Sequence, residues 1–368
     1  MSETSFEQAK AQFLAGLASL EAGQYAQAEA HFLSSLERLP GRISTLVNLA
    51  ATRLKLRRPQ EALSVADQVL TLEPDNRDAL LHRANSLLEL NRHPQALHAF
   101  ERLLALEPSF APAWSTCGDI LRELGRRDEA AVAYRRALAH GADAELTGYY
   151  LAALGAAPQS PTGAPRAYVE ALFDGYAGQF EQHVVQVLGY RAHEVLTQSL
   201  AALHPGRFSS ALDLGCGTGL CGPLLKPLCD RLAGVDLSAQ MLARAQALGV
   251  YDSLMHADVT EHLCHTDERH DLVLAADVFI YVGDLSAVFE AVSALMDPGG
   301  LFCFSVEVPS TETRGFELLP SLRYAHSEIY LRELAQQHGL EVSKLVREPI
   351  RTDQRQSIDG MFVCLTRH

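Results

Sequence analysis

The chain has 368 residues, enough for two or three domains at roughly 150 residues each. With 48% hydrophobic and 21% charged residues, its composition is that of a core-forming protein, not a disordered or fibrous one. The formal net charge of −14 disfavours a nucleic-acid partner, because phosphate-backbone binding rests on a positive footprint. The charge is uneven: residues 1–155 carry 16 basic and 19 acidic side chains, whereas residues 156–368 carry 15 and 26. Two units with different tasks are implied.

The seven cysteines are scattered, odd in number and without a CxxC pair, as expected for free thiols in a reducing compartment. No apolar run approaches the ~18 residues of a membrane span. The first residues, MSETSFEQAK, lack the basic and apolar regions of a secretory signal. A cytoplasmic protein with no membrane partner is expected.

Residues 9–144 repeat with a period of 34. Pro40, Pro74 and Pro108 share that spacing, as do Ala28, Ala62, Ala96 and Ala130. So do Phe32, Ala66, Phe100 and Tyr134, and the small residues Gly16, Ala50, Ala84 and Gly118. Each unit reads as two amphipathic helices. Small residues let the backbones approach, larger ones fill the space between units, and proline stops the second helix. The pattern is similar to the tetratricopeptide (TPR) family, with repeats at 9–42, 43–76, 77–110 and 111–144 and a capping helix at 144–154. The resemblance implies a TPR α-solenoid over residues 1–154 with a concave lining that includes Phe13, Leu17, Val47, Ala51, Leu81, Asn85, Ser115 and Asp119. A peptide or protein would dock there; a homodimer is the alternative use of the repeats. Asn48 and Lys55 supply only part of the cationic ring with which some TPR proteins clamp a carboxylate. Residues 155–165, GAAPQSPTGAP, have the composition of a linker.

From residue 209 onward, short apolar runs alternate with helical patterns, which predicts a largely parallel sheet covered on both faces. Strands are expected at 210–214, 231–236, 253–257, 272–276, 301–308, 342–347 and 360–366. Helices are expected at 220–229, 238–248, 285–296 and 327–337. Ligands of such sheets sit at the carboxyl ends of the strands. The first strand ends at Asp213 and enters a turn with Gly215, Gly217 and Gly219, where glycine permits tight turning and close backbone approach. Gly217, Gly219 and Gly222 also satisfy a dinucleotide GxGxxG pattern, with Asp236 as a ribose partner. Three features weigh against a dinucleotide: an acid just before the loop, a second acid at Asp258 after the third strand, and the Asp297-Pro-Gly-Gly300 turn.

The segment Leu212-Asp-Leu-Gly-Cys-Gly-Thr-Gly219 resembles the glycine motif of class I S-adenosylmethionine (SAM)-dependent methyltransferases. With the upstream Phe173-Asp-x-Tyr-Ala177 segment and the repeats, the order is similar to a bacterial group that joins TPR repeats to such a domain. The resemblance implies a Rossmann-like methyltransferase domain over 166–368 with SAM as cofactor. Asp213 and the Gly215–Gly219 backbone would hold the methionine part, and Asp236 the ribose hydroxyls. Leu237 would face the adenine, Asp258 and Val259 its edge, and Ala276 and Asp277 would close the pocket. Tyr168 and Tyr176 would reach the cofactor carboxylate.

Methyl transfer needs alignment and, for a protonated acceptor, a general base. Tyr281 is assigned to the acceptor pocket and His326 to the base; Asp284 and Glu307 are further carboxylates near the strand ends. Arg314 and Arg323 could steer an acidic acceptor. His256, His262, His265 and His270 match no metal spacing and read as a solvated loop, so no metal is expected. The function expected is SAM-dependent methyl transfer to a peptide or protein recruited by the repeats. The alternatives are a small-molecule O- or N-methyltransferase whose repeats serve oligomerisation or complex assembly, and a non-catalytic SAM-binding scaffold.

Overall fold

A computed structural model describes residues 3–310, 313–353 and 356–368. It divides into two units, Met1–Thr147 and Gly148–His368.

The first unit consists of helices α1 (Glu3–Glu21), α2 (Tyr25–Arg38), α3 (Ile43–Lys55), α4 (Pro59–Leu72), α5 (Arg77–Glu89), α6 (His93–Leu106), α7 (Ala111–Glu123) and α8 (Arg127–Ala139). Each packs on its neighbour in the chain. The second helix of each of the first three pairs ends where a proline follows: Leu39, Glu73 and Glu107 have φ of −135°, −131° and −133°. A residue before proline is pushed out of the helical region, so the helix stops there. The small positions make the crossings. A Cβ on Gly16 would lie 2.5 Å from the Phe32 ring, and one on Gly118 would lie 2.5 Å from the Tyr134 ring. Phe32 and Tyr134 are fully buried in consequence.

Helix α9 (Ala144–Ala153) spans the boundary between the units. The expected capping role is corrected for its second half. Tyr149, Ala152 and Ala153 pack with Leu318, Leu322 and Tyr324 of the second unit, and the Tyr149 hydroxyl donates to Leu322 O at 2.6 Å. The expected linker is corrected too. Thr162 O accepts the amides of Gly283 and Asp284 at 2.8 and 2.9 Å, and the Ala164 amide donates to Tyr281 O at 2.9 Å. The Tyr324 hydroxyl donates to Pro161 O at 2.8 Å. Proline and glycine dominate the segment, yet its backbone groups are used as a strap along residues 281–284.

The second unit continues with α10 (Arg166–Tyr176), α11 (Ala192–Leu203), β1 (Phe208–Leu214), α12 (Gly222–Leu225), β2 (Cys229–Asp236), α13 (Ala239–Ala247), β3 (Ser253–His256), α14 (Val259–His265) and β4 (His270–Ala275). Then come α15 (Ser286–Leu295), β5 (Met296–Glu307), β6 (Phe316–Leu318), β7 (Tyr324–His326), α16 (Glu328–Gln337), β8 (Leu340–Asp353) and β9 (Gln356–Arg367). The main sheet runs β3-β2-β1-β4-β5-β9-β8, parallel up to β5 and antiparallel at β9 and β8. Strand alternation divides the core. Leu212, Leu214, Val273 and Ala275 face α15 and α16 residues, while Ala211, Leu272 and Leu274 face α11. The strand order reverses between β1 and β4, which opens a crevice beyond their carboxyl ends.

Two elements depart from expectation. The expected 220–229 helix is cut to a single turn at α12, followed by a short 3₁₀ turn. The histidine segment is not a solvated loop: α14 occupies it, His262 and His270 are buried, and His256 Nε2 bonds Leu237 O at 2.8 Å.

Candidate active site

The turn after β1 runs through Gly215 and Gly217 at φ of +61° and +55°, a region that L side chains rarely adopt. A Cβ on Gly215 would meet Val278 at 2.5 Å, whereas one on Gly217 would find nothing nearer than 4.0 Å. The turn is stitched to β2. The Gly217 amide donates to Asp236 Oδ2 and the Ser238 amide to Asp236 Oδ1, both at 2.8 Å. Burial pushes the Asp236 carboxyl upward, and those two amides oppose the shift.

After β3, Asp258 caps α14, its Oδ1 accepting the Thr260 and Glu261 amides at 2.9 and 3.0 Å. After β4, Asp277 has φ of +61° and donates its amide to Ser305 Oγ at 2.9 Å. Its carboxylate pairs with Arg351 Nη1 at 3.1 Å, and Arg351 Nη2 bonds Glu307. The turn after β4 and the strands β5 and β8 therefore contribute one ion cluster. Burial works against the Arg351 charge, but Asp277 and Glu307 outweigh it and hold the guanidinium protonated. Burial pushes Glu307 up, with Arg351 opposing.

Helix α10 lies over these strand ends. Asp174 Oδ1 accepts from Ser238 Oγ at 2.5 Å and from the Gln240 amide at 3.3 Å. The Phe173 ring meets the Tyr281 ring edge-on with centroids 5.5 Å apart. The result is a cavity of about 500 Å³, within the ~300–1,000 Å³ of small-molecule sites. Gly215, Gly217, Asp236, Leu237, Asp258, Val259, Ala276, Asp277, Tyr176 and Tyr281 line it.

Four expected site residues lie elsewhere. Asp213 is buried behind the turn, where Oδ2 accepts from the Tyr251 hydroxyl at 2.7 Å and burial pushes its carboxyl up to about 7. Gly219 makes room for Leu248 and Tyr251, with a Cβ there falling 2.7 and 3.2 Å from those side chains. Tyr168 packs its ring 5.7 Å from that of Tyr149. His326 is not a base on the cavity wall. It is fully buried in β7, its Nε2 donates to Val282 O and Gly283 O at 3.0 Å each, and burial pushes it down to about 4. A neutral imidazole that spends its proton on two carbonyls is a brace behind Tyr281.

Sequence reasoning missed Arg351, Asp174 and His193. The partners of Arg351 lie 74 and 44 residues away. His193 lines the cavity, stacks on Tyr190 at 5.5 Å, and has no hydrogen-bond partner for its buried Nδ1 among the described residues.

Residues 212–304 match the family model of a methyltransferase domain, and residues 47–109 and 81–145 match the tetratricopeptide repeat. This chain joins TPR repeats to a methyltransferase domain. Among curated relatives, human methyltransferase-like protein 27 is 32% identical over 155 residues, which cover 40% of this chain and 61% of that protein. The ubiquinone biosynthesis O-methyltransferase of Brucella melitensis biotype 2 is 37% identical over 94 residues, 24% of this chain and 38% of that protein. The chain thus spans less than two thirds of the length of these relatives. Among solved structures, magnesium protoporphyrin IX methyltransferase from Synechocystis PCC 6803 with bound S-adenosylhomocysteine (SAH) has a TM-score of 0.44 at 17% identity, covering 55% of this chain and 100% of that one.

The methyltransferase domain implies SAM, and the residues present suit it. Thr218 Oγ1 is buried on the cavity wall with no hydrogen-bond partner among the described residues, and the Gly217 turn leaves open space where a side chain would stand. No helix among the described residues is long and apolar enough to cross a membrane.

Proposed function

We propose that the protein is a SAM-dependent methyltransferase whose TPR repeats recruit a peptide or protein carrying the acceptor. The observation that carries the enzymatic reading is the stitched cradle: a glycine turn whose amide is held by Asp236 on the neighbouring strand, with Asp258 after the next strand on the same cavity wall. In this reading the Gly215–Gly217 turn, Ala276 and Asp277 hold the methionine portion. Asp236 accepts from the ribose hydroxyls through its remaining lone pairs. Leu237 would face the adenine, and Asp258 and Val259 would meet its edge, with Asp258 Oδ2 open to its amino group.

When bound, SAM supplies an electrophilic methyl on a positively charged sulfur. The chain's part is alignment and charge. Asp236 favours a cation, and α10 with Phe173 and Tyr176 excludes water from the reacting centre. Tyr281, which burial pushes up to about 12, stays protonated and orients an acceptor without taking its proton.

Recruitment by the repeats is supported by their covalent union with a transfer site, which raises the effective concentration of a docked acceptor. A small-molecule acceptor is the second reading, favoured by the name of the Brucella relative; the repeats would then serve assembly. Labelled methyl transfer by the full chain and by residues 148–368 separates them. A large drop in KM-limited rate on removing the repeats supports recruitment, and equal rates contradict it. A protein that binds SAM and labels nothing is a scaffold.

A further inference from the structure

We propose that the acceptor presents a carboxylate to Arg323 and leaves as a methyl ester. This rests on the methyltransferase reading and names the substrate class of the same cavity.

Three guanidinium groups line the cavity: Arg166, Arg323 and Arg351. Arg351 is neutralised on both sides, by Asp277 and by Glu307. Arg166 pairs with Glu261 at 2.9 Å. Arg323 is different. Among the described residues its single salt-bridge partner is Glu307 Oε1 at 3.9 Å, and that oxygen already bonds Arg351. The Arg323 side chain is 26% exposed, so it is partly stripped of water. It lies against the Tyr281 hydroxyl, and its charge reaches Tyr176. A guanidinium offers five N–H donors in a planar fork that fits the two oxygens of a carboxylate. Here such a fork stands at the wall of an aromatic cavity, sharing one Glu307 oxygen with Arg351.

The acids of the cavity favour the same acceptor. An amine or hydroxyl acceptor that arrives protonated needs a group to take its proton. Asp277 and Glu307 are tied to Arg351, and the Tyr281 phenol holds its own proton, which leaves His193, whose Nδ1 has no partner among the described residues, as the group a protonated acceptor would need. A carboxylate needs no base. One of its oxygens forms the new O–CH₃ bond as the S–CH₃ bond of SAM breaks. The electron pair of the broken bond stays on sulfur, the sulfonium becomes a neutral thioether, and no proton moves. The charge lost from the carboxylate removes its ion pair with Arg323, which favours release of the ester.

The test uses the full chain, SAM tritiated on its methyl group, and a dialysed cell lysate plus its small-molecule filtrate as acceptors. Mild alkali releases methyl esters as volatile tritiated methanol and leaves N-methyl and ether-methyl groups in place. We expect most of the label to be volatile, lying in the acid-precipitable fraction for a protein-borne carboxylate and in the filtrate for a small acid. Arg323→Gln should reduce labile label at least ~10-fold, as loss of a charge-assisted fork does. Arg323→Lys, which keeps the charge without the fork, should recover part of it. SAM affinity of Arg323→Gln, read by calorimetry, should stay within about twofold of the parent for a side chain that meets the acceptor. Alkali-stable label overturns the proposal, most plainly if His193→Gln abolishes it. So does the absence of labile label from a protein that binds SAM. A tenfold loss of SAM affinity in Arg323→Gln also overturns it, because the guanidinium then serves the cofactor's own carboxylate. If the parent does not bind SAM at all, the methyltransferase reading fails and this one with it.

Discussion

The Gly217 amide donates to Asp236 Oδ2 at 2.8 Å, and through that bond the turn after β1 and the end of β2 become one rigid cradle. The other Asp236 oxygen holds the Ser238 amide, and Ser238 Oγ in turn donates to Asp174 of α10. A single chain of hydrogen bonds therefore runs from the glycine turn to the helix that covers it.

Because no residue of α10 is buried, its docking depends on a few contacts, of which Asp174 makes two. Asp174→Ala should weaken SAM binding by roughly 3- to 10-fold, the equivalent of one or two hydrogen bonds. The melting temperature should change little. Calorimetry with SAM, paired with thermal unfolding, checks this. Unchanged affinity would detach α10 from the cofactor site.

In the repeats, Gly118→Ala places a methyl 2.5 Å from the Tyr134 ring. Overpacking of this kind costs about 1–3 kcal/mol. The same substitution in a Tyr134→Ala background, which mimics the small pair Ala50 and Ala66, should cost little. Chemical denaturation of the four proteins reads the coupling, and additive losses would refute it.

The unit boundary has a direct consequence for fragments. Residues 148–368 retain Tyr149, buried against Tyr324, and the strap on residues 281–284. A fragment beginning at residue 166 lacks both. Loss of a fully buried aromatic alone costs about 3–5 kcal/mol, so the shorter fragment should unfold at much lower denaturant. Equal midpoints would show that the strap contributes nothing.

His326 makes stability depend on acid. Its folded pKa of about 4 lies below the unfolded value near 6.5, so the unfolded chain takes up the proton first. The stabilisation is complete above pH ~6.5 and is lost as pH falls toward 4. Between pH 7 and 5 the parent should lose about 2 kcal/mol more than His326→Gln, which keeps an N–H donor. The pH profile of methyl transfer should be the same in both. An acid-side limb that disappears in His326→Gln would restore it as a base.

Much of this was legible along the chain. The 34-residue period placed the helix-ending prolines, and apolar alternation located the parallel strands, because both follow from local backbone rules. Legibility failed where orientation mattered. Asp213, Tyr168 and His326 have suitable chemistry, but each turns away from the cavity toward a partner distant in sequence: Tyr251, Tyr149 and the 282–283 carbonyls. Arg351 reaches the site from β8, and no local pattern marks it. The strap at 155–165 has the composition of a free linker because its order comes from backbone bonds, to which side-chain composition is blind.

Calorimetric titration of the full chain with SAM, and in parallel with NAD, tests the central claim most directly. One SAM site per chain is expected, with no NAD binding and with loss of SAM affinity by at least ~10-fold in a folded Asp236→Ala variant. NAD binding without SAM binding, or undiminished SAM affinity in Asp236→Ala, would contradict it.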